Sequence, residues 1–172
     1  MQKLILVAVL ALACTANAKQ MTKEEGNQLA NTFLDAMRNT LASGSMQKMA
    51  DQLFDKQIEY EWSGPQTGKG SAALVKDFAG TWGAMVANFL PGTPYTITDT
   101  KARRVSIAFD LTININGHGK VKDCFATQPI VFTLTFNDRR KVTKWLGQWD
   151  PNDAQMNACM GKIQKHMKAA EF

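Results

Sequence analysis

Alternation of apolar residues with polar or small ones dominates the second half of this chain. Every second position from 105 to 115 is apolar: Val105, Ile107, Phe109, Leu111, Ile113 and Ile115. A period of two places these side chains on one face of an extended strand. The pattern therefore predicts a long strand with one apolar face.

The rest of the region from Tyr95 to Trp149 also has the character of strands. A glycine-containing turn at 116–119 leads into a return strand from about Val121 to Phe136, and a last strand covers Val142 to Trp149. Pro129 lies inside the return strand and predicts a bulge or bend, because proline cannot donate a hydrogen bond to the ladder.

Helical spacing dominates the first half. Thr22–Glu25 has the pattern of a capping box, and the apolar residues of Leu29–Leu41 follow at helical spacing. A short second helix is predicted over Met46–Phe54. Residues Ile58–Trp62 then alternate as in a half-buried strand.

Two more helices are expected. The third begins near Ser71 and is stopped by Pro91-Gly92, and its apolar stripe is Leu74, Val75, Phe78, Trp82, Met85, Val86 and Phe89. The last follows Pro151–Asp153. The order α-α-β-α-β-β-β-β-α predicts an α+β fold, in which a curved antiparallel sheet wraps around a long helix and leaves a concave space between them.

The first 18 residues have the features of a secretory signal peptide. Lys3 precedes ten apolar residues, and small residues occupy the two positions that a signal peptidase reads in Ala16-Asn17-Ala18. We expect a mature domain of residues 19–172 that is secreted, or periplasmic in a bacterium, with no membrane span. In an alternative interpretation, Cys14 belongs to a lipoprotein box and is lipidated.

Charge and the scarcity of histidine restrict the function classes. The net charge is +5 and the pI about 9.2, which falls short of the basic stripe of a nucleic-acid binder. The only histidines are His118 and His166, so neither a transition-metal site nor a histidine-based catalytic triad is expected. No glycine-rich nucleotide loop is present, and we expect no cofactor.

Two cysteines remain after removal of the signal peptide, Cys124 and Cys159. Export to an oxidising compartment favours a disulfide between them. The alternative is a pair of buried free thiols, since unpaired cysteine behaves as a small hydrophobic residue.

A stripe of aromatic and methionine side chains is the strongest candidate for a binding surface. The third helix is expected to present Phe78, Trp82 and Met85 to the sheet. There they would face aromatic residues of three strands, Trp62, Phe109 and Phe132. Such a stripe usually forms the core. It can also line an apolar slot for a small hydrophobic molecule, with the phenol of Tyr60 available to a ligand oxygen.

Several segments resemble a known fold family, in this order along the chain: Met49–Phe54 running into Ile58–Trp62, Gly68-Lys69-Gly70 before the third helix, Pro129–Phe132, and Lys141–Asp150 as the closing strand. The chain resembles the nuclear transport factor 2-like superfamily, and within it the SnoaL-like group named for polyketide cyclases. The resemblance implies a cone-shaped α+β fold, with residues 19–172 forming a single SnoaL-like domain that carries a C-terminal helix.

The resemblance also implies candidate site residues. Related enzymes often keep a functional acid where Asp150 follows the last strand, so Asp150 is the candidate for proton transfer, assisted by Tyr60. Asp150 can instead cap the following turn. Epoxide-hydrolase relatives use an Arg-x-Asp triplet, whose counterpart Arg104-Val105-Ser106 has serine in place of the acid.

Two functions remain open. The first is a secreted protein that binds a small hydrophobic molecule in the cone, with cyclase- or isomerase-like acid–base chemistry as an added element. The second is a non-catalytic module that forms a homodimer, since the cone fold commonly pairs sheet to sheet. The residues do not decide whether the protein is an enzyme.

Overall fold

The computed structural model describes residues 20–43, 46–63, 66–78, 88–115, 124–159 and 161–162. The predicted signal peptide at 1–18 lies outside these residues, as do Trp82 and Met85. The helices are α1 (Lys23–Ser43), α2 (Met46–Leu53), α3 (Ser71–Phe78) and α4 (154–159). The strands are β1 (Phe54–Trp62), β2 (Thr67–Lys69), β3 (Asn88–Pro91), β4 (Tyr95–Asp99), β5 (Arg104–Ile115), β6 (Cys124–Phe136) and β7 (Val142–Gln148).

The seven strands form one curved sheet in the order β2-β1-β7-β6-β5-β3, with β4 also paired to β5. All described pairings are antiparallel except that of β1 with β7, which is parallel. The predicted α+β class with a curved sheet is confirmed, and the sheet is antiparallel as expected except at this one pair. Alternation within one strand indicates which face is buried and carries no information about the direction of its neighbour.

The prediction for the third helix is wrong at its carboxyl end. Phe89 belongs to β3 and pairs with Ile113 of β5. Helical spacing and a buried strand cannot be told apart over a short apolar run, which explains the error. Strand β2, with three residues, is too short to leave a period in the sequence.

Pro129 causes no bulge in the β5–β6 ladder, contrary to expectation. The register runs without a shift from Arg104 opposite Thr135 to Ile115 opposite Cys124, with Pro129 opposite Asp110. On the other side, the last pair between β6 and β7 is Val131 with Gln148. Pro129 therefore lies beyond the end of β7, where no described strand needs its missing N–H.

The capping box at the start of α1 is present and also ties the helix to the sheet. The N–H of Glu25 donates to Thr22 Oγ1 at 3.0 Å. The Glu25 carboxylate accepts from Arg140 Nε at 2.5 Å and from Nη2 at 2.9 Å, in the turn between β6 and β7. Both side chains are largely buried, with 18% of Arg140 and 27% of Glu25 exposed. This bidentate pair therefore fixes where α1 begins on the sheet.

The core lies between α1 and the inner face of the sheet. Phe33 of α1 meets Phe132 of β6 with ring centroids 5.8 Å apart, which identifies the inner face as the one that carries Phe132. Ile107, Phe109 and Leu111 are the corresponding buried residues of β5. Among the described residues, no helix has both the length and the apolar character needed to cross a bilayer.

Candidate functional site

A cluster of aromatic rings fills the described part of the cone. Trp145 of β7 is 1% exposed and lies at its centre. Its ring centroid is 5.2–6.3 Å from those of five others: Phe33, Phe54, Trp62, Phe78 and Phe132. The sequence analysis quoted Trp145 within the closing strand but did not include it among the binding residues.

Four of the six predicted ligand-binding residues take part in this cluster. Trp62, Phe78, Phe109 and Phe132 are all buried, and Trp62 contacts Phe78 while Phe109 contacts Phe132. Phe78 therefore faces the sheet, as expected of the α3 stripe. Trp82 and Met85 lie outside the described residues, so the structure does not describe the predicted slot between Trp62 and Trp82.

The inner face of β6 becomes less bulky towards the amino-terminal end of the strand. Read from the carboxyl end, its buried residues are Phe136, Leu134, Phe132, Ile130, Gln128 and Ala126. Phe132 takes part in the aromatic cluster, whereas the last two residues carry an amide and a methyl group. The inward side chains of β6 therefore become smaller from Phe132 to Ala126.

Gln128 is a buried polar residue that the sequence analysis missed. It is 1% exposed, and its Oε1 has no hydrogen-bond partner among the described residues. The signal was available, because Gln128 occupies an inward position in a strand whose other inward residues are apolar. A buried polar group is normally satisfied, so an unpaired one marks a position to explain.

Tyr60 is paired with an acid, but the acid is Asp77 of α3. The Tyr60 hydroxyl donates to Asp77 Oδ2 across the face of β2. Burial, the Asp77 hydrogen bond and the Asp77 charge raise the pKa of Tyr60 from 10.0 to about 12. Gly68 permits the contact, since a Cβ there would lie 2.1 Å from the Tyr60 oxygen.

Asp150 lies exposed in the turn after β7. Its Oδ1 accepts the backbone N–H of Asn152 at 2.8 Å, and its carbonyl accepts that of Asp153 at 3.3 Å. This is the turn-capping arrangement considered as the alternative for Asp150. The described hydrogen bonds connect Tyr60 to Asp77 and Asp150 to its own turn, and none of them joins Tyr60 to Asp150.

Arg104 and Ser106 do not form an acid-containing triplet. Arg104 is exposed, and Ser106 Oγ lies 3.1 Å from Thr133 Oγ1 on the neighbouring strand. Among the described residues, no three His, Cys, Asp or Glu side chains are grouped so as to hold a metal ion.

Cys159 lies on α4, is 1% exposed and is disulfide-bonded. The side chain of Cys124 lies outside the described part of the chain. The pairing of Cys159 with Cys124 therefore stays a prediction.

A described surface depression at the α2–β1 junction is polar. It has a volume of about 540 Å³ and is lined by charged residues that include Asp51, Asp55, Lys56 and Lys141. Lys141 Nζ donates to the carbonyls of Asp51 and Gln52 at the end of α2, so that its charge is already engaged.

The raised pKa of Tyr60 has a testable consequence. The chain has two tyrosines, so the Tyr95→Phe variant leaves Tyr60 as the only one. We expect its tyrosinate absorbance to rise with a midpoint near 12, and we expect Asp77→Asn in that background to lower the midpoint towards 10.0. Because the folded pKa lies above the unfolded one, this contribution to stability is complete below pH 10 and is lost between about pH 10 and pH 12.

Urea unfolding across that pH range measures this loss of stability. The free energy of unfolding should fall in Tyr95→Phe, which keeps Tyr60, and the same contribution should be absent in Tyr60→Phe. A midpoint near 10 in Tyr95→Phe protein with native circular dichroism would contradict the assigned Tyr60–Asp77 contact.

The sequence matches no family model and no curated protein, but the fold matches solved structures. One is a protein of Shewanella putrefaciens provisionally assigned as a SnoaL-like polyketide cyclase. The two structures match with a TM-score of 0.58 and 11% sequence identity, over 83% of this chain and 97% of that one. Another is SalBIII, described as an epoxide hydrolase/cyclase-like enzyme in pyran ring formation in salinomycin, with TM-score 0.59, 13% identity and coverage of 77% and 96%.

A third is AusH from Aspergillus nidulans, with TM-score 0.59, 15% identity and coverage of 76% and 86%. Identities this low speak for the fold alone. The chain has the fold of these solved structures, and this is the cone-shaped α+β fold that the resemblance to SnoaL-like proteins predicted.

Proposed function

We propose that this protein binds a small, largely apolar molecule beside Ala126 and Gln128, at a site called the end pocket from here on. The observation that carries the proposal is the change in side-chain size along the inner face of β6. Large apolar side chains occupy the inward positions from Phe136 to Ile130, and the amide of Gln128 and the methyl group of Ala126 follow. A guest held there would contact the apolar residues of the same face, including Phe109, Leu111 and Ile130.

Structures of the same fold support a small-molecule ligand. SalBIII is described as acting in pyran ring formation, and another match, from Mycobacterium tuberculosis, is described as an epoxide hydrolase. Those activities belong to those proteins. They show that this fold can hold small organic molecules, which the end pocket would also require.

The hydrogen bonds and surroundings of the two candidate catalytic residues, Tyr60 and Asp150, favour binding over catalysis. The Tyr60 hydroxyl already donates a hydrogen bond to Asp77, and its raised pKa keeps the phenol protonated at neutral pH. Asp150 is exposed, and its carboxylate caps the turn after β7. The proposal therefore assigns Asp150 to turn capping and Tyr60 to positioning β1 against α3.

The proposal includes secretion and a Cys124–Cys159 disulfide. The signal peptide pattern at 1–18 supports export, and Cys159 is disulfide-bonded. A bond from Cys159 to Cys124 would tie α4 to β6, and closing a loop of about 35 residues would contribute roughly 3–4 kcal/mol.

Ala126→Leu tests the end pocket directly. The larger side chain would occupy the space of the guest, so we expect the Kd for 2-methoxynaphthalene, measured by calorimetry, to rise at least about tenfold with little change in Tm. Thr127→Leu is the control, because Thr127 is the exposed neighbour on the opposite face and should leave both values unchanged.

If the region is instead filled, Ala126→Leu would overpack it and cost about 1–3 kcal/mol of stability. That result, or a wild-type protein that binds neither 2-methoxynaphthalene nor its hydroxyl analogue 2-naphthol saturably, would contradict the proposed function.

A homodimer formed through the outer face of the sheet is also proposed. Tyr95 and Ile97 of β4 are 69% and 58% exposed, an unusual state for large apolar side chains. The strand register places them in rows across the outer face with Ala108, Val131 and Leu146. A second copy that covers this face would bury the whole apolar patch.

Ile97→Lys tests the dimer, because an ammonium group at the β4 edge of the patch would be buried unpaired. Light scattering with size-exclusion chromatography should give twice the chain mass for the wild type and the single mass for Ile97→Lys. The control is Asn27→Lys, on an exposed face of α1. A monomeric wild type, or a dimer that survives in Ile97→Lys, would overturn this proposal.

A further inference from the structure

The side-chain amide oxygen of Gln128 has no hydrogen-bond partner among the described residues, and this bears on which chemical groups the ligand carries. Other buried side-chain polar atoms without a partner among the described residues include Trp62 Nε1, Trp145 Nε1 and Thr98 Oγ1. The two indole groups lie among aromatic rings, whose faces are weak acceptors. The neighbours of Gln128 along the inner face of β6 are Ala126 and Ile130, and neither has a polar side chain.

The position of Gln128 makes a purely structural role unfavourable. An unsatisfied buried carbonyl loses its hydrogen bonds to water and gains nothing in return, so a methionine of similar volume would serve the core better. Gln128 also lies beyond the end of β7, since the β6–β7 pairing stops at Val131 with Gln148. The cost of the amide is therefore explained if a partner arrives from outside the chain.

We infer that Gln128 is a specificity-determining residue and that the ligand is an apolar ring molecule carrying one hydroxyl or N–H donor. The inference rests on the proposed function, because it concerns the same end pocket. Gln128 Oε1 accepts the hydrogen bond of that donor, while the ring system contacts the apolar inner face. A ligand without a donor leaves the carbonyl unpaired, and a site of this kind discriminates strongly against such analogues.

The test compares two probes that differ only in the donor, 2-naphthol and 2-methoxynaphthalene. The methoxy compound keeps the ring and the oxygen but has no O–H to donate. We expect calorimetry to show that the full-length mature protein binds 2-naphthol about tenfold or more tightly than 2-methoxynaphthalene. In Gln128→Met this preference should disappear, with the affinity for 2-methoxynaphthalene kept or improved.

The Tm of ligand-free Gln128→Met is a second measurement. A structural role for the amide predicts a lower Tm, whereas an amide kept for a ligand predicts a higher one. Removing an unpaired buried carbonyl should raise the Tm of ligand-free Gln128→Met by about 2–4 °C. The control is Gln148→Met, at an exposed position of β7, which should change neither Tm nor probe preference.

Three results would overturn the inference. If the wild type binds both probes equally, Gln128 does not select a donor, although the end pocket stands. If Gln128→Met loses stability, the amide has a structural partner and its oxygen is not reserved for a ligand. If neither probe binds, the inference fails together with the proposed function.

Discussion

The packing of aromatic rings around Trp145 is the contact on which the architecture depends. Trp145 belongs to β7, and the rings that surround it come from α1, β1, α3 and β6. Five elements that are distant in sequence thus meet at one buried indole. Because the rings fill this part of the cone, the proposed end pocket lies beside Ala126 and Gln128, where the inward side chains of β6 are smaller or polar.

Period and polarity predicted much of the fold. The inward positions of β1, β5 and β6 follow from alternation, so Trp62, Phe109 and Phe132 were correctly expected to be buried. The capping box at Thr22–Glu25 likewise required only local sequence. These features depend on residues a few positions apart, which is the range over which periodicity carries information.

Features that depend on distant partners could not be predicted in this way. The parallel pairing of β1 with β7 depends on how the sheet closes, and the Tyr60–Asp77 contact joins residues 17 positions apart in different elements. Arg140 reaches Glu25 across 115 positions. Gln128 is different, since its inward position was visible in the sequence, but its unpaired state became visible only with the neighbouring strands in place.

The polar groups of the inner face fall into two classes with different consequences. Tyr60 is satisfied by Asp77, and this contact connects β1 to α3. Gln128 is unsatisfied and costs stability. Tyr60 and Asp77 thus form a polar contact that holds the fold together, whereas the proposed role of Gln128 is to bind a ligand in the end pocket, away from the aromatic cluster.

A crystal structure of the protein under xenon pressure tests that separation most directly, because xenon enters dry apolar cavities without requiring a specific ligand. The account predicts a xenon atom beside Ala126 and Gln128, and none among the rings around Trp145. Xenon density within the aromatic cluster, or an end pocket closed by protein side chains, would contradict it.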